Sequence, residues 1–213
     1  MRKTIRLAAI AIVGFTLSGG VSAEEKAPAA EKKVNPDLAP AFVLKDLAGK
    51  ERSLKEFAGK FVVLEWCNHG CPFVKKHYQK GHMQKLQEKY TKKGVIWLTI
   101  CSSAEAKQGW MTTDGWKAKN EKSGAKPTAV LIDTNGKVGK AYGAKTTPQI
   151  CIINKKGVRV YDGAIDDKRS RHTEDIKTSK NYVTIVLDAV MAGKPSPIRR
   201  TRPYGCSVKY AAP

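Results

Sequence analysis

"FVVLEWCNHGCPFVKKHY", residues 61–78, read together with "VIWLTI", residues 95–100, decides the architecture. Residues 61–66 form a continuous apolar, β-branched run, the pattern of a strand buried on both faces. Cys67 and Cys71 follow, four positions apart. Pro72 suits the first turn of a helix, where its missing N–H leaves no bond unmade. Gly81 is expected to break or kink that helix. "HMQKLQEKY" then resumes it, with Met83, Leu86 and Tyr90 spaced by three and four, as far as Gly94. The apolar run 95–100 completes a strand-helix-strand unit, which in one sheet implies parallel strands and a right-handed crossover. The fold class is α/β.

Outward from this unit the elements continue in order. "AFVLKDL", a turn "AGK" and "ERSLKEF" predict a small hairpin or strand and a short helix. A further short helix is expected around Gly115 to Lys122. "TAVLID" and "QICIIN" read as strands, each followed by a Gly turn; their likeness reflects shared turn chemistry rather than a repeat. The second continues into "VRVY" as an antiparallel hairpin. A last helix, Asn181 to Met191, carries Val183, Val186, Leu187 and Val190 on one face. Residues 193–213 are an irregular tail containing Cys206.

The N-terminal residues have the form of an export signal. "MRKTIR" is basic, "LAAIAIVGFTL" is apolar and too short to span a bilayer comfortably, and Val21-Ser22-Ala23 fits a cleavage site. Residues 1–23 are therefore read as a signal peptide, 24–38 as a flexible leader rich in Ala, Pro and charge, 39–192 as one domain, and 193–213 as the tail. A periplasmic or otherwise exported protein without stable membrane insertion is implied, in a setting where disulfides persist. Formal net charge is +20, from 39 Lys and Arg against 19 Asp and Glu. The lysines are scattered rather than interleaved with aromatics along one groove, which reads as a solvated basic surface and not a nucleic-acid site.

Cys71 stands at or beside a helix N-cap, where unpaired backbone N–H groups and the helix dipole favour a thiolate; Lys75 and Lys76 add charge one turn on. Val74 occupies the place of a second cysteine in a Cys-x-x-Cys motif, so a resolving thiol must come from Cys67, Cys101, Cys151 or Cys206. Cys151, inside "QICIIN", is expected to be core packing. Cys206 lies in a segment with little apolar content, and a tether explains that segment more easily than packing does.

The motifs "NHGCPFVKKHY", "AYGAKTTP", "YDGAIDD" and "RPYGCSVKY" resemble the thioredoxin-like superfamily, in its AhpC/TSA redoxin branch, and most closely a group of exported peroxiredoxin-like proteins. The resemblance runs from about Ala41 to Tyr210. It implies a thioredoxin-like fold, with a central mixed sheet and flanking helices. It also implies a thiol/disulfide oxidoreductase without cofactor, with Cys71 as nucleophile and Cys206 as resolving thiol. Its partners would be a protein or small-molecule disulfide and a thiol electron donor. In that fold Cys67 and Cys101 emerge side by side at the carboxyl end of the sheet, as a structural disulfide or a second redox relay. Pro148 matches the family's cis-proline, which makes Thr147 a substrate-contact residue, with Asn68 a further candidate. A thiol peroxidase acting on hydroperoxides through Cys71 is the alternative. Asn68, Leu64 and Pro148, however, stand where the peroxidase pattern places a Thr or Ser, a proline and an arginine. A third reading follows from Cys67-x-x-x-Cys71-Pro72, which looks like the copper motif of the Sco/SenC proteins; paired thiolates suit Cu(I), with His69 as a further ligand. His69, His77 and His82, all in polar surroundings, are expected at the surface.

Overall fold

The structure, a computed structural model, describes residues 37–212. The expected signal peptide and all but the last two residues of the expected leader lie outside them. Strands β1 (Val43–Asp46) and β2 (Glu51–Ser53) form the first hairpin, with register Leu44 to Arg52. Asp46 closes its turn by accepting from Ala48 N, Lys50 N and Arg52 Nε. Strand β3 (Val62–Trp66) is buried throughout, as its unbroken apolar run requires. Helix α1 (Pro72–Gln79) ends before Gly81, whose φ of 70° lets the chain turn into α2 (His82–Thr91). Strand β4 (Ile96–Cys101) returns parallel to β3.

Helix α3 (Thr113–Ser123) is capped at one end by the Thr112 hydroxyl, which accepts from Gly115 N at 3.2 Å, and at the other by Gly124 at φ 65°. Strand β5 (Ala129–Ile132) pairs in parallel with β4. Helix α4 (Lys137–Ala141) follows, then β6 (Thr146–Thr147), β7 (Gln149–Ile153) and β8 (Arg159–Gly163), the last two antiparallel. Helix α5 (Tyr182–Met191) begins at the Asn181 cap, whose Oδ1 accepts from Thr184 N at 2.9 Å. Strand β9 (Cys206–Ser207) lies in the tail.

The sheet order is β2-β1-β5-β4-β3-β7-β8, parallel among β3, β4 and β5 and antiparallel elsewhere. This is the mixed α/β sheet expected of a thioredoxin-like fold. It divides the core into two layers. One holds Val63, Tyr90, Trp97, Trp116, Ile150 and Leu187 with Cys67, Cys71 and Cys101. The other holds Leu64, Trp66, Leu98, Leu131 and Tyr142 with Cys151.

Three expectations need correction. Asp37 and Leu38, assigned to the leader, belong to the folded domain: Leu38 bridges Val158, and Arg159 N donates to Asp37 O at 2.8 Å. Helix α4 was expected only as a Gly turn; its carboxylate anchor is Asp133, which accepts from Val138 N and Gly139 N. The tail, expected to need a tether, is docked with all five cysteines as free thiols. It is held by backbone bonds between Asp162 and both Arg199 and Thr201, and by the buried side chains of Tyr204 and Val208. The Tyr210 ring also packs where a side chain on Gly136 or Gly139 would have to go.

Candidate active site

Cys71 is the N-cap of α1, in extended backbone conformation (φ −77°, ψ 125°), with Pro72 behind it starting the helix. The turn before it is fixed by Asn68. Its carbonyl accepts from Cys71 N at 2.9 Å, its Oδ1 accepts from Gly70 N at 2.8 Å, and its Nδ2 donates to Gln108 O at 3.2 Å. Asn68 is buried, with both ends of its amide engaged inside the protein. It shapes the loop and is not placed as the substrate-facing group expected from the sequence.

The Cys71 thiol is fully buried and donates to Thr147 O at 3.1 Å. The Thr147–Pro148 peptide is cis, as the resemblance implied. Across from it, β9 pairs antiparallel with β6, setting Cys206 opposite Thr147. This close approach requires Gly205: at φ 135°, a Cβ there would run into the Thr147 carbonyl. The ladder thus sets Cys206 across from the same Thr147 whose carbonyl accepts from Cys71. Burial pushes the Cys71 thiol up, but hydrogen bonding by Cys206, by the Val74 backbone N–H and by Thr147 together brings Cys71 below the ordinary thiol value. Burial and the neighbouring Cys71 push Cys206 the other way, to about 11. The two sulfurs of the pair are thus pushed in opposite directions, Cys71 below and Cys206 above the ordinary thiol value.

The lysines behave differently from the sequence expectation. Lys76 is buried and directed away to Asp166 Oδ2 (3.2 Å), Lys168 O (2.7 Å) and Tyr204 OH (3.3 Å). Tyr204 in turn donates to Asp166 Oδ1. This network joins "YDGAIDD" to "RPYGCSVKY" and anchors the tail two residues before Cys206. His77 and His82 extend it. Their Nδ1 atoms lie 2.9 Å apart, His77 Nε2 is 3.5 Å from Tyr204 OH, and His82 Nε2 is 3.0 Å from Asn181 Nδ2. Burial lowers both histidines below their ordinary value.

His69 is likewise buried, its ring centroid 5.1 Å from Tyr78 and 4.9 Å from Trp116. Burial, with the Lys119 charge, lowers its pKa to about 4. Against the expected surface placement, His69 and His77 are buried and His82 is partly buried. Nor does His69 complete a metal site with Cys67 and Cys71: among the described residues no three His, Cys, Asp or Glu side chains converge as a ligand set.

Beneath the turn, Cys67 N donates to Ile100 O at 3.0 Å, extending the parallel register so that Cys67 stands beside Cys101. Both are buried on the Cys71 side of the sheet, while Cys151 sits in the opposite layer as core packing. Next to Cys67 lies a group the sequence reading missed. Glu65, fully buried, accepts from Tyr78 OH (2.8 Å), Trp97 Nε1 (2.8 Å), Gln87 Nε2 (3.2 Å) and Thr99 Oγ1 (3.3 Å). Burial raises its pKa despite these donors. An acid inside an otherwise apolar strand was the available signal.

The AhpC/TSA family profile matches residues 36–161. The thiol-disulfide oxidoreductase ResA of Bacillus thuringiensis subsp. konkukian (strain 97-27) is 32% identical over 156 residues, covering 73% of this chain and 82% of that one. ResA of Halalkalibacterium halodurans is 28% identical over 174 residues, covering 78% and 90%. Among solved structures, an uncharacterized conserved protein from Geobacillus kaustophilus aligns with a TM-score of 0.70 at 28% identity, over 83% of this chain and 92% of that one. A hypothetical protein from Sinorhizobium meliloti 1021 aligns with a TM-score of 0.69 at 26% identity, over 83% and 94%.

Proposed function

The chain belongs to the AhpC/TSA family, and from that premise we propose that it is a thiol/disulfide oxidoreductase in which Cys71 is the nucleophile and Cys206 the resolving thiol. The observation that supports the assignment of roles is the β6–β9 ladder, which pairs Cys206 with Thr147, the residue whose carbonyl accepts from Cys71 Sγ. The Cys71 thiolate attacks one sulfur of a substrate disulfide, and the other sulfur leaves as a thiolate. Cys206 then attacks Cys71 Sγ. The substrate's second thiolate departs, taking up the proton that Cys206 gives up, and a Cys71–Cys206 disulfide remains. A thiol donor restores the pair by the reverse exchange. Substrates are disulfides and partners are thiols, in keeping with the named activity of the relatives.

An exported location is part of the reading. Residues 1–23 have the order of a signal peptide, and among the described residues no helix is long and apolar enough to cross a membrane. The Thr147 backbone, held by Cys71 and by the tail, is the surface an extended substrate would meet once the tail yields.

Disulfide reduction by the reduced full chain tests the roles. Cys71→Ser is expected to abolish it, and Cys206→Ser to accumulate a mixed disulfide on Cys71 that mass spectrometry detects. Full activity in Cys71→Ser together with loss in Cys67→Ser would overturn the assignment.

A further inference from the structure

Four of the five cysteines share one layer of the core: Cys67, Cys71 and Cys101 are buried in it, and Cys206 packs against it. The outer pair, Cys71 and Cys206, is accounted for above. The inner pair sits at adjacent positions of the parallel β3–β4 register, continued by the Cys67 N to Ile100 O bond. Neighbouring strands lie about 4.8 Å apart, within the Cα separation that a disulfide bridges. Side chains at paired positions of a parallel ladder point to the same face, and both sulfurs are in the Cys71 layer.

Proton acceptors stand beside this pair. The Cys67 thiol lies in the same buried cluster as Tyr78, whose hydroxyl donates to Glu65 Oε1 at 2.8 Å. Every neighbour bonded to the Glu65 carboxylate is a donor, an arrangement suited to its ionised form. A structural disulfide needs no base. A buried thiol that must become a nucleophile does, because burial alone holds it protonated.

We propose that Cys67 and Cys101 are a second, buried dithiol centre that reduces the Cys71–Cys206 disulfide by exchange within the chain, with Glu65 receiving a proton through Tyr78. The proposal rests on the outer pair being Cys71 and Cys206. The Cys67 proton passes to the Tyr78 oxygen as the Tyr78 proton moves to Glu65. The Cys67 thiolate attacks Cys71 Sγ; the Cys67–Cys71 bond forms and Cys206 leaves as a thiolate. Cys101 then attacks Cys67 Sγ, its proton ending on Cys206, and Cys71 leaves as a thiolate. Two electrons move from the inner pair to the outer one. The negative charge that began on Glu65 ends on Cys71. The product is an active outer site and a stored inner disulfide, so that one chain carries two reducing equivalents of the disulfide type.

The test uses the full chain, reduced and freed of reductant, with 5,5′-dithiobis(2-nitrobenzoate) as oxidant. Chromophore release is followed while acid-quenched samples are alkylated and their disulfides mapped by mass spectrometry. With one oxidising equivalent per chain, the bond is expected first at Cys71–Cys206 and then at Cys67–Cys101, migrating without further chromophore release. Cys101→Ser should stop that migration. Glu65→Gln and Tyr78→Phe should each slow it about a hundredfold, with the double variant no slower than either single one. Migration in the unaltered chain decides the matter even if a variant fails to fold. Cys67 and Cys101 remaining free after the outer pair is oxidised overturns the relay alone. So does a Cys67–Cys101 bond that forms equally fast in Cys71→Ser, which marks a merely structural bridge. If Cys71–Cys206 never appears in the map, the outer assignment fails and the relay with it.

Discussion

Hydrogen bonding rather than nearby cations holds the Cys71 thiol below its ordinary value, while burial and Cys71 push Cys206 above it. The sequence suggested Lys75 and Lys76 as the source of the activating charge; Lys76 is instead buried against Asp166. A thiolate that accepts from Cys206 loses part of its stabilisation when that partner goes. The sign of the pH effect follows: Cys71 in the intact chain should be alkylated below the ordinary thiol range, and Cys206→Ala should move the midpoint of the rate-versus-pH curve upward. Iodoacetamide kinetics followed by peptide mapping measure this. A midpoint unmoved by the substitution would return the credit to the helix terminus. Residue identity also explains what sequence reading could reach. Cys71 was legible because Pro72 marks the helix start. Glu65, Lys76 and Asp166 were not, because their partners lie in distant segments and only the folded chain shows that each is buried and bonded.

At the scale of elements, the two-residue ladder between β6 and β9 positions the resolving thiol, and Gly205 admits it. Gly205→Ala would set a methyl group against the Thr147 carbonyl and place alanine at a φ of 135°. We expect a loss of about 1–3 kcal/mol in unfolding stability, with a longer-lived mixed disulfide on Cys71 because Cys206 is displaced. Denaturant titration and trapping with a disulfide substrate read the two effects. Wild-type stability combined with wild-type resolution would show that the ladder tolerates the methyl. The long elements were legible: β3 and β4 from continuous apolar runs, and α5 from the one-sided Val183, Val186, Leu187 and Val190. Helix α4 and strands β6 and β9 were not. They are two to five residues long, too short for any periodicity, and tertiary bonds to Asp133 and across the cis-proline loop specify them.

For the whole molecule, the tail is a structural part of the domain in the reduced state. Its hold passes through the buried Lys76–Asp166–Tyr204 group, where removing one ion leaves the other without a counter-charge, at about 3–5 kcal/mol. Limited proteolysis between Lys194 and Tyr210 should therefore be slow with or without reductant in the native chain, and fast in Asp166→Asn. Rapid cleavage of the reduced native chain would show that the bridge, not packing, holds the tail. The sheet itself has one more consequence. It separates Cys151 from the four other sulfurs by a layer of strands. During oxidation the odd thiol is walled off from scrambling, so the chain can reshuffle bonds among an even set without stranding a sulfur to pair with a second molecule.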